Sequence, residues 1–122
     1  MFTCNHISVG CSDIEKQSFN FYTNKLGLAL LHRWPKMFAV RAGDVRISVF
    51  QSDEVASSGN VEIILRTDNI ESAKAAVTHN EVTLAQDIIE APGFMRFFTI
   101  EDPDGNVIHI GQYLSDPLEI GG

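Results

Sequence analysis

Apolar and polar residues alternate from Cys4 to Val9, with Asn5, Ile7 and Val9 on one side and Cys4, His6 and Ser8 on the other. This period of two predicts a strand over 2–10. Ser12 and Glu15 stand at capping-box spacing, so a helix is expected to start near Asp13. Its apolar stripe is Ile14, Phe19, Tyr22 and Leu26, and Gly27 is placed to end it. Short strands are expected near 28–34, 37–42 and 44–51. The small, polar segment 52–60 reads as a linker. A second round opens at Val61. Asp68 is expected to cap a helix with Glu71 at its third position, and that helix should end near His79–Asn80. Strands near 82–90 and 93–101 should join through a type II turn at Ala91-Pro92-Gly93. Asp102-Pro103-Asp104-Gly105-Asn106 is a second tight turn, its carboxylates capping backbone amides, and it feeds a last strand over 107–114. The tail 115–122 is expected to fray.

The two rounds are weak copies of each other. His6-Ile7-Ser8-Val9 leads into Ser12-Asp13-Ile14-Glu15, as Glu62-Ile63-Ile64-Leu65 leads into Asp68-Asn69-Ile70-Glu71. Arg46-Ile47-Ser48-Val49 and Val107-Ile108-His109-Ile110 close the copies. The expected fold is α+β: two βαβββ modules (1–51 and 61–114) forming curved mixed sheets around a cleft, as one domain over 1–122. Ile7/Val9, Ile47/Val49, Ile63/Leu65 and Ile108/Ile110 should face the helices. The other face carries Cys4, His6, Ser8, Arg46, Ser48, Phe50, Glu62, Ile64, Arg66, Val107 and His109. It is too polar for a dry core and in places too apolar for plain surface, which fits a wet, ligand-sized cleft. The duplication puts His6, Ser48, Glu62 and His109 at equivalent places.

Composition narrows the classes. A chain of 122 residues can bury one real core. A formal charge of −7 argues against a nucleic-acid partner, which needs clustered Lys and Arg. No run of about 18 apolar residues predicts a membrane span, and Met1-Phe2-Thr3-Cys4 does not open like a secretion signal. Cys4 and Cys11 are too few for a disulfide framework, so a reducing cytoplasm is the expected compartment.

The combination of His6-Ile7-Ser8-Val9 through Asp13-Ile14-Glu15, then Phe21-Tyr22, Leu26-Gly27-Leu28, Asp68-Asn69-Ile70, Phe97-Phe98 and Asp102-Pro103-Asp104-Gly105-Asn106-Val107-Ile108 resembles the vicinal oxygen chelate superfamily. That group contains glyoxalase I, bleomycin-resistance proteins and extradiol dioxygenases. The resemblance is specific for fold and broad for function. It implies metal ligands on the first and last strands of each copy, where this chain has His6, Ser48, Glu62 and His109. Ser48 and His109 replace the usual acidic or amide ligands and Glu62 stands where His is common, which departs from glyoxalase chemistry. His6, Glu62 and His109 would be a 2-His-1-carboxylate set for a divalent ion (Fe, Ni, Zn or Mn), with Glu62 and His109 also catalytic. The plain alternative makes His6 scaffolding and pairs Glu62 with Arg66 or Arg46.

Arg46, Arg66 and Arg96 are candidates for anion recognition or for internal salt bridges. Trp34, Phe38, Phe50, Phe94 and Phe98 are candidates for stacking, Phe50 foremost because it shares a face with Ser48. Cys4 beside His6 reads as a buried, inert thiol rather than a nucleophile, and His32 and His79 read as surface residues. The functional expectation is a small-molecule enzyme, with lyase, isomerase or dioxygenase chemistry on a carbonyl or enolate-forming substrate. The alternative is a metal-free antibiotic- or small-molecule-binding protein of the bleomycin-resistance type. Either is expected to be a homodimer with a small-molecule ligand.

Overall fold

Two four-stranded mixed sheets carry the structure, a computed structural model that describes residues 4–52 and 62–118. Their strands are β1 (His6–Cys11), β2 (Ala29–Trp34), β3 (Met37–Ala42) and β4 (Val45–Gln51), then β5 (Ile63–Arg66), β6 (Gln86–Ala91), β7 (Met95–Glu101) and β8 (Val107–Tyr113). The orders are β1-β4-β3-β2 and β5-β8-β7-β6, as two βαβββ modules require. The chain divides into two compact units, Met1–Ser58 with Asp102–Asn106, and Gly59–Glu101 with Val107–Gly122. Most of the expected linker and the end of the expected tail lie outside the described residues. No helix among those described is long and apolar enough to cross a membrane.

In the first unit β1 runs parallel to β4, with Ile7 beside Ile47 and Val9 beside Val49. Ile47, Val49, Phe38 and Val40 are buried on the helix side. The expected helix is two π-helical turns, Ile14–Ser18 and Phe21–Lys25. Each closes with a backbone bond spanning five residues, Phe19 N–H to Ile14 O and Leu26 N–H to Phe21 O. The cap is Asp13 rather than Ser12. The Asp13 carboxylate accepts the amides of Glu15 (3.0 Å) and Lys16 (3.2 Å), while the Ser12 amide donates to Asp104 (3.0 Å). Ile14, Ser18, Phe21 and Tyr22 are the buried side chains of these turns, and Phe19 meets Phe38 edge-on at 5.3 Å. Gly27, at φ +71°, ends the segment as expected.

The turn 102–106 belongs to this first unit, although it lies between two strands of the second module. Asp102 is 4% exposed and accepts four hydrogen bonds: Tyr22 Oη (2.8 Å), the amides of Asp104 (2.9 Å) and Asn106 (2.8 Å), and Asn106 Nδ2 (2.8 Å). Burial, and then the Asp102 charge, hold the Tyr22 phenol far above its usual range.

In the second unit β5 runs parallel to β8, with Ile63 beside Ile108. Ile63, Phe98, Ile100, Ile108 and Ile110 are buried with Ile70 and Val77 of helix α1 (Ile70–His79). The cap of α1 is Asn69, not Asp68: its side chain accepts the Ser72 amide at 3.0 Å. Gln112 of β8 takes the Ile70 amide at 3.0 Å and ties the helix start to the sheet. β6 begins at Gln86 rather than near 82, because Val82 is buried and its amide bonds Val77 O instead of a strand. The Ala91-Pro92-Gly93 turn is as expected, with Gly93 at φ +73° and Phe94 N–H on Ala91 O at 2.9 Å.

Candidate functional site

Alternation along the strands leaves each sheet one face turned away from its helical segment, and the polar residues collect there. His6, Ser8, Phe50, Glu62, Ile64 and Arg66 are exposed, Arg46 and His109 are half-buried, and Ser48 is buried. The four equivalent positions form two hydrogen-bonded pairs, one per unit. His6 Nε2 meets Ser48 Oγ at 2.7 Å. His109 Nε2 meets Glu62 Oε2 at 2.9 Å. Parallel register fixes both: His6 lies beside Arg46, two residues from Ser48, and Ile64, two residues from Glu62, lies beside His109.

The second pair extends to a third residue. Thr99, directly across from His109 on β7, brings its hydroxyl to 2.8 Å from His109 Nδ1. An ionised carboxylate only accepts, so Nε2 carries the proton toward Glu62. In the neutral ring Nδ1 is then the acceptor, and Thr99 donates to it. This tautomer follows from hydrogen-bond logic. His109 is thereby held at both nitrogens, and Glu62 has an exposed carboxylate with an N–H donor behind it. Phe97 stands edge-on to the imidazole at 5.3 Å. Gly111 lies between Arg66 and Phe97 in the strand register, and a Cβ there would sit 3.0 Å from Met95 Sδ. The Arg66 guanidinium lies over Tyr113 at 5.9 Å. One face of one sheet therefore offers a carboxylate, an oriented imidazole, a guanidinium and aromatic edges.

Other expected site residues are placed elsewhere. Arg46 donates from Nε to Ser48 Oγ at 3.1 Å and lies over Trp34 at 5.7 Å, both in the first unit. Arg96 pairs in the register with Gln112 on the helix side of the sheet and forms an ion pair with Glu71 of α1 at 2.8 Å. The Glu71 carboxyl is held below its usual range first by its own backbone N–H and then by Arg96. Phe38 and Phe98 are core residues, Phe94 packs on Tyr113 at 5.5 Å, and Trp34 and Phe50 are exposed. His32 and His79 are at the surface as expected, His32 edge-on to Trp34 at 4.2 Å. Cys4 was expected to be buried and is exposed; the buried thiol is Cys11, which burial pushes above its usual pKa. Cys4 lies ahead of β1.

A divalent ion needs several donors converging on one point. Glu62 and His109 supply two, at a spacing that suits neighbouring ligands on a metal with bonds of about 2.0–2.2 Å. Among the described residues no group of three or more His, Cys, Asp or Glu is placed to hold a metal ion, and His6 Nε2 is engaged by Ser48. Thr99, Phe97 and Gly111 escaped the sequence reading. Their one signal is register: Thr99 is across from His109, Gly111 is beside Arg66, and Phe97 is across from Gly111.

A profile of the family described as Glyoxalase/Bleomycin resistance protein/Dioxygenase superfamily matches residues 3–110. No curated protein matches the sequence. Among solved structures, a glyoxalase/bleomycin resistance protein/dioxygenase from Nocardioides superposes with a TM-score of 0.80 at 19% identity, covering 99% of this chain and 91% of that one. One so described from Alicyclobacillus acidocaldarius gives 0.79 at 16% identity, with 96% of each chain covered. Lactoylglutathione lyase from Agrobacterium tumefaciens gives 0.75 at 16% identity, over 90% of this chain and 92% of that one. At these identities the likeness is one of fold.

Proposed function

The chain belongs to the glyoxalase/bleomycin resistance protein/dioxygenase superfamily, and from that premise we propose that it is a small-molecule enzyme moving protons on a carbonyl or enolate-forming substrate. The observation that carries this reading is the chain Glu62–His109–Thr99. Glu62 is the base: its carboxylate is exposed, within reach of a ligand, and oriented by the N–H of His109. His109 orients that carboxylate and can relay its proton, and Thr99 keeps the ring in the tautomer that does so. Arg66 on the same face holds an anionic end of the substrate. The role of Arg66 rests on its place in the register, and no contact with Glu62 is involved.

Members of the superfamily often depend on a metal. With two donors in this unit, no step here is routed through one. The runner-up is a metal-free binder that sequesters a drug. A thermal-shift screen separates the two, because a ligand present at about 100 times its Kd stabilises by about 2.7 kcal/mol. Small carboxylate or dicarbonyl compounds are expected to raise the melting temperature in the presence of chelator. Cationic glycopeptide drugs are expected to leave it unchanged. A shift with the drug and none with the anions replaces the enzyme reading by the binder; a shift that needs added Fe, Ni, Zn or Mn restores the metal site.

Assembly as a homodimer is part of the same reading. β2 is an edge strand exposed along all six residues, with Leu30 and Leu31 both 46% exposed. An apolar open edge is what association covers. Light scattering is expected to give twice the 13.5 kDa chain mass at micromolar concentration; a monomer mass contradicts it.

A further inference from the structure

Ser48 has a chemistry of its own, separate from the second unit. Arg46 Nε–H can only donate, so Ser48 Oγ accepts there at 3.1 Å. Giving the Ser48 proton to His6 Nε2, 2.7 Å away, completes a chain from Arg46 through Ser48 to His6. A hydroxyl donating to an imidazole at that distance is a nucleophile with its base. A guanidinium donating to the Ser48 oxygen favours negative charge there. The backbone holds the group in place: His6 is beside Arg46 and Ser8 beside Ser48 in the β1–β4 register, and Ala39 is across from Ser48 on β3. Ala39 is the small residue of that row, and Trp34 and Phe50 stand exposed on the same face.

We propose that Ser48, His6 and Arg46 form an acyl-transfer site that takes small esters with an apolar or aromatic leaving group. Ser48 Oγ attacks the ester carbonyl while His6 Nε2 accepts its proton. The tetrahedral oxyanion is balanced by Arg46. The carbon–oxygen bond to the leaving alcohol breaks, and that alcohol departs with the proton from His6. Water then attacks the acyl-Ser48, losing a proton to His6, and Ser48 leaves as the hydroxyl by taking that proton back. The net reaction is ester plus water to acid plus alcohol. Ser48 is 3% exposed, so the ester approaches it between the half-buried Arg46 and the exposed His6.

The test uses the full chain and p-nitrophenyl acetate. Peptide mass mapping of the unaltered protein, quenched during turnover, is expected to find acetyl on Ser48. Ser48→Ala should abolish p-nitrophenolate release above the level of free imidazole. His6→Gln should slow it about 10²–10⁴-fold, the usual worth of a positioned base. Ser48 without acetyl, or Ser48→Ala retaining the full rate, overturns the proposal. The mapping needs no variant, so it decides even if Ser48→Ala fails to fold.

Discussion

Asp102→Ala is expected to cost about 3–5 kcal/mol of folding stability, near the top of the range for one substitution. Asp102 is 4% exposed and its carboxylate satisfies four donors, two of them backbone amides. Truncation leaves the buried Tyr22 hydroxyl and three part-buried N–H donors unpaired, each costing up to about 1–3 kcal/mol, with partial relief from entering water. Tyr22→Phe removes only one of the four bonds and should cost about 1–1.5 kcal/mol. The order matters more than the values. If the carboxylate is the knot tying residues 102–106 to the π-helical segment, Asp102→Ala shifts the urea midpoint far more than Tyr22→Phe does. Equal shifts would mean that the phenol bond is the only one that matters.

His109→Gln is expected to lower turnover about 10²–10⁴-fold while leaving the melting temperature nearly unchanged. The imidazole lies on the sheet face turned away from α1, in a T-shaped contact with Phe97, so its replacement leaves the apolar face under the helix intact. Its chemical loss is large, because a glutamine amide can donate to Glu62 but cannot take up and return a proton as the imidazole does. Thr99→Val separates positioning from contact with substrate. It keeps the shape of a buried side chain and deletes only the donor to Nδ1. The ring is then free to take the other tautomer, and kcat should fall with KM little changed. A Thr99→Val enzyme with unaltered kcat would remove Thr99 from the account.

Much of the fold was legible because strands with one buried face write a period of two into the chain. The alternation around Ile47/Val49 and Ile108/Ile110 marks which side of each strand is apolar, and those are the sides that the fold buries. Helix starts were less legible. Ser12 and Asp13, or Asp68 and Asn69, are adjacent cap-forming residues, and only the backbone angles decide which one is in the extended conformation a cap needs. The π-helical register of 14–25 was hidden as well, since an apolar stripe does not state how many residues a hydrogen bond spans. The turn 102–106 was read correctly as a carboxylate-capped turn, but its partner Tyr22 is far away in sequence.

The site was legible as residue types and not as pairs. Equivalence of the two modules pointed to His6, Ser48, Glu62 and His109. It did not say that each module would join its own two residues by a hydrogen bond. Arg96 looked like its neighbours in composition, yet strand parity puts it on the helix side with Glu71. Thr99 has nothing in the sequence to single it out, and cross-strand register alone makes it the partner of His109.

The claim that Glu62 is the working base is met most directly by solvent-deuterium exchange at the α-carbon of the small dicarbonyl or carboxylate compound that stabilises the protein most. Followed by proton NMR in D₂O with chelator present, the unaltered chain is expected to catalyse the exchange. Glu62→Gln keeps the side-chain shape and an oxygen for His109, and should exchange about 10²–10⁴-fold more slowly. The same rate in both proteins would contradict the account.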